Sequence, residues 1–241
     1  MRLVFVLTVG LLAGTISGIV GTGSSIMLMP VLVWQYGPKQ AVPIMAVAAV
    51  MANLSRILAW WREVDWRACA AYSVTGIPAA ALGARTLLVL PSRAVDIAIG
   101  VFLIAMVPMR HWLAGHRLQI SLWHLALGGA LIGYLTGIVV STGPLSVPLF
   151  LFYGLTKGAF LATEAASSLG LYLSKSVTFR HFGALTPEVA LKGLIAGASL
   201  MFGAFIAKRF VLRLEPDAFR LVMDAIMLAA GISMLWNAAY S

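Results

Sequence analysis

Gly21, Thr22, Gly23, Ser24 and Ser25 put two glycines and three hydroxyls into the middle of an apolar run, GIVGTGSSIMLMP. Ser141, Thr142 and Gly143 interrupt a second such run, GIVVSTGPLSVP, roughly half the chain later. Glycine lets a ligand approach the backbone closely, and a helix that restarts after the break presents free N–H groups and the positive end of its dipole. Ser24 or Ser25 suits the N-cap of one restarted helix, and Pro144 suits the first turn of the other, where its missing N–H costs nothing. The chemistry such a pair of breaks offers is binding of an anion. One cluster of small residues alone would more simply mean close helix packing. Two clusters in matched positions favour a site.

A few ionisable and amide side chains stand close enough to these breaks to join them. Arg56 and Lys175 occupy matching places near the ends of two apolar blocks, each after a serine. A cation inside a span costs about 2.5 kcal/mol or more on insertion scales, so it faces a cavity, a partner or the interface. Contact with an anion and snorkelling to the membrane surface are the two readings left open for both. Asn53, one turn from Arg56, adds an amide donor. Glu164, in LATEAASS, is the most interior acid by sequence and has two roles open to it. It could carry a proton for coupled transport, or it could pair with Lys157 or Lys175 as a structural bridge.

The elements that must hold these residues are membrane-spanning helices. Of the 241 residues, 61% are hydrophobic and 10% charged, against roughly a quarter charged in a soluble domain. Eight apolar blocks run from end to end, at 3–36, 40–61, 67–90, 94–113, 123–153, 158–179, 188–212 and 218–239. The first is read as a span rather than a removed signal peptide. The net charge of +9 is assigned to anchoring at span ends rather than to nucleic acid. Cys69 is alone, and His111, His116, His124 and His181 lack metal-ligand spacing. His111 and His116 are placed in the central linker. Neither metal nor cofactor is expected, and the spans hold no paired carboxylates or histidine cluster with which to build an enzyme.

The blocks fall into two homologous halves, 1–113 and 123–241, joined by a linker at 114–122. GSSIMLMP matches STGPLSVP, YGPK matches YGLTK, LSR matches LSK, and LPSRA matches LEPDA, all at near-constant spacing. The expected fold is therefore an all-α polytopic membrane protein whose halves have about four segments each, the first of each half broken or re-entrant. As one straight helix, block 3–36 would be roughly 51 Å long, against a hydrocarbon core of about 30 Å. That length and a small excess of cations on one side favour inverted over parallel repeats, with the amino terminus external. Matched interrupted segments are the sequence mark of a transporter site.

GTISGIVGTGSSIMLMP and GYLTGIVVSTGPLSVP, with the YG connectors, resemble the sulfite exporter TauE/SafE family, whose pattern G-x-x-x-G-x-x-G-x-G-G-G-x-x-x-x-P occurs twice. The likeness covers essentially the whole chain. It implies a secondary transporter of sulfite, a sulfonate or a related sulfur compound in the prokaryotic inner membrane, working without ATP. The partners expected are a small inorganic or organic anion, the bilayer, and a proton or Na+ as coupling ion. Where the family has a run of glycines, this chain has Ser24 and Ser25, and Ser141 and Thr142, which bears on the anion that fits. A passive anion channel using the same donors is the alternative.

Overall fold

The computed structural model describes residues 2–20, 24–115, 119–139, 142–210 and 216–240. Every regular element among them is a helix. They are α1 (Arg2–Val20), α2 (Ser24–Tyr36), α3 (Pro38–Trp60), α4 (Trp66–Val89), α5 (Ser92–Ala114), α6 (Leu122–Ile138), α7 (Gly143–Phe152), α8 (Lys157–His181), α9 (Pro187–Phe210) and α10 (Pro216–Tyr240), with a short 3-10 turn at Trp61–Glu63. The eight apolar blocks thus become ten helices among the described residues, because the first and fifth blocks are each split in two. His111 lies in the last turn of α5 and not in a linker; its Nε2 stands 3.4 Å from Asp224 Oδ2 on α10.

Local chemistry explains the joints. Tyr36–Gly37 and Tyr153–Gly154 end the two short helices α2 and α7, and both glycines take positive φ, +73° and +103°. A side chain disfavours that conformation, so glycine is what lets each short helix turn sharply into the long one that follows. Asp65 caps α4 by accepting from the backbone N–H groups of Arg67 and Ala68, each at 3.0 Å.

The order in which residues meet across each interface gives the direction of every long helix. Tyr72, Gly76 and Ala80 of α4 meet Gly129, Gly133 and Gly137 of α6 in rising order, so these two are parallel. Gly10 of α1 meets Ala196 and Ser199 of α9, and Gly14 meets Leu200 and Gly203, again in parallel. Ile44 and Ala48 of α3 meet Gly193 and Gly197 of α9 in the same sense. Asp65 and Ile77 meet Thr163 and Ser174, which sets α8 parallel to α4. By contrast, Arg56 meets Glu164 while Trp60 meets Gly158, so α3 and α8 are antiparallel. Likewise Gly100 meets Gly231 and Leu235 while His111 meets Asp224, so α5 and α10 are antiparallel.

α1, α3 and α9 therefore point one way, and α4, α6 and α8 the other. Since α1 and α3 share a direction, α2 must bring the chain back between them. α7 does the same between α6 and α8. With 13 and 10 residues, α2 and α7 reach only about 20 Å and 15 Å at 1.5 Å per residue, short of a full crossing.

Two kinds of surface result. Inside, glycines let backbones touch: a Cβ on Gly133 would lie 2.5 Å from the Gly76 carbonyl oxygen and 2.8 Å from its Cα. Outside, large apolar side chains such as Leu58, Val74, Leu82, Val89 and Phe202 are exposed. Such a surface would be a liability in water and is the one a bilayer solvates. All seven tryptophans are exposed and lie at or near helix ends, the pattern of an interfacial aromatic belt. Lys39–Glu63, 25 residues long, has by itself the length and apolarity to cross a membrane, the one stretch among the described residues to meet both conditions. α8 carries Glu164 and Lys175 in its interior.

Overpacking a filled interface costs about 1–3 kcal/mol. Gly133→Ala and Gly83→Ala, each driving a methyl into facing backbone, are expected to lower the melting temperature in detergent by several degrees. Gly115→Ala, with its nearest neighbour at 3.6 Å, leaves it unchanged. Thermal shift measurements on the purified variants check the contrast.

Candidate functional site

α3 and α8 cross where Arg56 meets Glu164. The guanidinium Nη1 lies 3.0 Å from Glu164 Oε2, with side-chain exposures of 16% and 4%. Arg56 Nη2 donates to Asn53 Oδ1, one turn earlier on α3. The Asn53 amide nitrogen donates to Ala49 O at 2.8 Å. Asn53 is thus an acceptor that orients the guanidinium, where sequence reasoning made it a donor. The second Glu164 oxygen, Oε1, accepts from Ser168 Oγ at 2.8 Å and from Ser146 Oγ at 3.1 Å. Ser146 is on α7, the returning helix of the second break. The carboxylate therefore joins α3, α7 and α8 at one point.

Two tyrosines complete the surroundings. Tyr72 on α4 and Tyr172 on α8 are both buried and within electrostatic reach of Glu164. Tyr172 also hydrogen-bonds Ser25. Ser24 and Ser25 are the first two residues of α2, both buried, so the start of that helix faces this cluster. α2 begins at Ser24, so Ser24 and Ser25 lie within the helix and not before it. Gly21, Thr22, Gly23 and Ser141 lie outside the described residues.

Lys175 sits elsewhere. It is 0% exposed, which excludes snorkelling, and its ammonium donates to Thr136 O at 2.5 Å and Val139 O at 2.9 Å. These are last-turn carbonyls of α6, the negative end of that helix. The charge also lies 5.7 Å from the centre of the Phe179 ring. Thr142, the N-cap of α7, spans the gap through a 2.5 Å contact between its hydroxyl and that of Thr136. Gly143 follows as the first residue of α7. The bridge that the sequence allowed between Glu164 and Lys175 is not made, because Arg56 takes the carboxylate and the α6 carbonyls take the ammonium. Lys157 opens α8, one helical turn or more before Glu164.

Glu164 and Lys175 are separated by roughly 16 Å along α8 at about 1.5 Å per residue. Arg56 and Lys175, expected together at one midplane site, thus lie at two depths. Arg56 is near the end of α3 that leads into the Trp61–Glu63 turn, and Lys175 is near the opposite face, by the second break. Four residues of the cluster escaped sequence reasoning: Tyr72, Ser146, Ser168 and Tyr172. Ser168 was the most accessible of them, being four residues after Glu164 and so on the same face of α8. Ser146 lies within the second broken motif itself. Tyr172 carried no sequence signal, since Ser25 and Arg56, which bring it into the cluster, come from α2 and α3.

Energetically the cluster is exacting. Breaking a buried ion pair by removing one partner costs about 3–5 kcal/mol, because the other charge stays out of water. Both Glu164 oxygens already have donors, and the guanidinium keeps some exposure.

The family model described as sulfite exporter TauE/SafE matches residues 6–234. The probable membrane transporter protein y4hK of Sinorhizobium fredii is 28% identical over 191 aligned positions, which cover 72% of this chain and 73% of that protein. No solved structure matches the chain.

Lys175→Met keeps most of the side-chain volume but removes two charge-assisted hydrogen bonds, leaving α6 carbonyls unpaired at about 1–3 kcal/mol. A melting temperature lowered by several degrees in detergent is expected. An unchanged value would show that the ammonium does not hold the second break together.

Proposed function

The chain belongs to the sulfite exporter TauE/SafE family, a family of membrane transporters, and from that premise we propose that it is a multi-pass secondary transporter of a small sulfur oxyanion or sulfonate. The observation that carries the anion is Arg56, a partly accessible guanidinium set among buried polar groups beside both returning helices. An arginine offers an oxyanion two parallel N–H donors, and hydroxyls at the start of α2 add to them. The substrate-binding set proposed is Arg56 with Asn53 as its orienting acceptor, Ser24 and Ser25, together with Gly21, Thr22 and Gly23. Thr142, Gly143 and Lys175 form the counterpart at the other depth, and Ser141 is proposed to act with them. Glu164 is the proposed proton carrier, and Na+ is the other candidate for coupling.

Inverted repeats support alternating access. Helices that match in sequence (α1 with α6, α3 with α8, α4 with α9, α5 with α10) run in opposite directions. The packing pattern also survives exchange of the halves: α1 lies on α9 as α6 lies on α4, and α3 lies on α9 as α8 lies on α4. Two similar bundles meeting head to tail can open the same site to either side of the membrane with similar energy. The location proposed is the prokaryotic inner membrane.

Uptake by purified protein in liposomes tests the reading. The panel is labelled sulfite, thiosulfate and sulfoacetate, with taurine as a zwitterionic control, each with and without a proton gradient. Saturable uptake of at least one anion is expected. Arg56→Ala should weaken its apparent affinity about tenfold to a hundredfold, the equivalent of one charge-assisted contact of about 1.5–3 kcal/mol. Flux that rises without saturation and ignores every gradient would indicate a passive channel. No uptake of any anion by folded protein would return both breaks to a packing role.

A further inference from the structure

We infer that Glu164 is a built-in anion that occupies Arg56 when substrate is absent, so that substrate and the ionised carboxylate exclude each other at the one guanidinium. This rests on the transporter reading above and specifies how the coupling ion enters it. Three observations carry it.

The first is that the pair already has the composition of a loaded site. A carboxylate is held by one nitrogen of an arginine that Asn53 orients and by two hydroxyls, Ser146 and Ser168, much as a small oxyanion would be. The second is placement. Arg56 is on a helix of the first half, while Glu164, Ser146 and Ser168 are on helices of the second, so the pair ties the halves together. The third is charge. Around Glu164, α3 presents Arg56, α4 presents Tyr72, α7 presents the Ser146 hydroxyl, and α8 itself presents Tyr172 and Ser168. Lys175 is roughly 16 Å away along α8 and is held by backbone carbonyls. Glu63 stands beside Gly158, nearer the start of α8. Arg56 is thus the single cation that faces the carboxylate among the described residues.

An anion arriving at Arg56 would bring a second negative charge against a buried carboxylate. The arrangement balances if Glu164 takes a proton from the aqueous side as Arg56 changes partner. The protonated carboxyl keeps its two acceptor contacts to Ser146 and Ser168 through Oε1, and its new O–H donates to the incoming oxyanion. On release, substrate leaves Arg56, the proton leaves Glu164 to the same side, and the pair re-forms. For a singly charged anion, the empty and loaded sites then carry the same net charge. One proton travels with one anion, in whichever direction their combined gradients favour.

Binding of methanesulfonate and thiosulfate to detergent-purified protein tests this, since both stay fully ionised from mildly acidic to mildly alkaline pH. The measurements are affinity against pH and the proton uptake on binding, read with an indicator dye in weakly buffered solution. The wild type should take up one proton per methanesulfonate bound. Because the bound state holds the extra proton, affinity should rise as pH falls, by about tenfold per unit on the alkaline side. Glu164→Gln should bind tightly, take up no proton and lose the pH slope. Wild-type binding without proton uptake would overturn the inference on its own, whether or not the variant folds. So would a Glu164→Gln protein that keeps the wild-type slope. In both cases the transporter reading stands. Absence of binding by any member of the sulfur-anion panel would instead remove that reading, and this inference with it.

Discussion

A guanidinium and a carboxylate taken out of water must find each other or remain in water, and the meeting of Arg56 with Glu164 imposes this on the whole bundle. The two charges that meet come from different helices. α3 must cross α8 antiparallel, at a depth where the arginine is near the end of one and the glutamate is early in the other. The oxygen that Arg56 leaves free must be answered too, and α7 is bent back far enough for Ser146 to do so. The second broken segment thus has a stereochemical task beyond restarting a helix. It completes the coordination of a buried acid that belongs to the next helix along.

The interfaces around this point divide into two kinds. α4 against α6 and α1 against α9 are lined with glycine and pack backbone against backbone. Such contacts are stiff, because any slide forces a carbonyl into a facing Cα. The α3–α8 crossing is instead made by long polar side chains, which can exchange partners without repacking backbone. A molecule assembled from two stiff groups of parallel helices and one polar seam concentrates its adjustable interactions at the seam, where the ionisable residues are.

The two breaks are not used alike. At the second, Lys175 supplies the positive charge that the carbonyl end of α6 calls for, and the Thr136 and Thr142 hydroxyls bridge the gap. At the first, the start of α2 turns toward Tyr172 and the Arg56 cluster through Ser25. Arg56 and Lys175 end the similar stretches LSR and LSK, yet α3 and α8 run in opposite directions and carry them to opposite depths. The hydroxyls that replace glycines in the family pattern (Ser24, Ser25 and Thr142) all take part in or lie beside these polar contacts. Their presence is consistent with a local hydrogen-bonding role in addition to any contact with substrate.

Read alone, the sequence determined the helical class, the boundaries of the apolar blocks to within a few residues, the split of the first and fifth, and the family. Those are local properties. Apolar runs and Gly-Pro punctuation act through backbone solvation and φ preferences that depend on near neighbours only. It also singled out Arg56, Lys175 and Glu164, because a charge in an apolar run is costly wherever the run ends up. The pairing was beyond its reach. Whether Glu164 meets Lys175 or Arg56 depends on how α3 crosses α8, and Lys175, on the same helix, was the wrong partner. Asn53 looked like a donor until its amide nitrogen was found bonded to Ala49 O. The directions of the helices, and hence the two depths of the cations, came from which residues touch across the glycine interfaces. Contact order along a pair of helices is a property of the packed tertiary structure, and no composition or spacing within one segment encodes it.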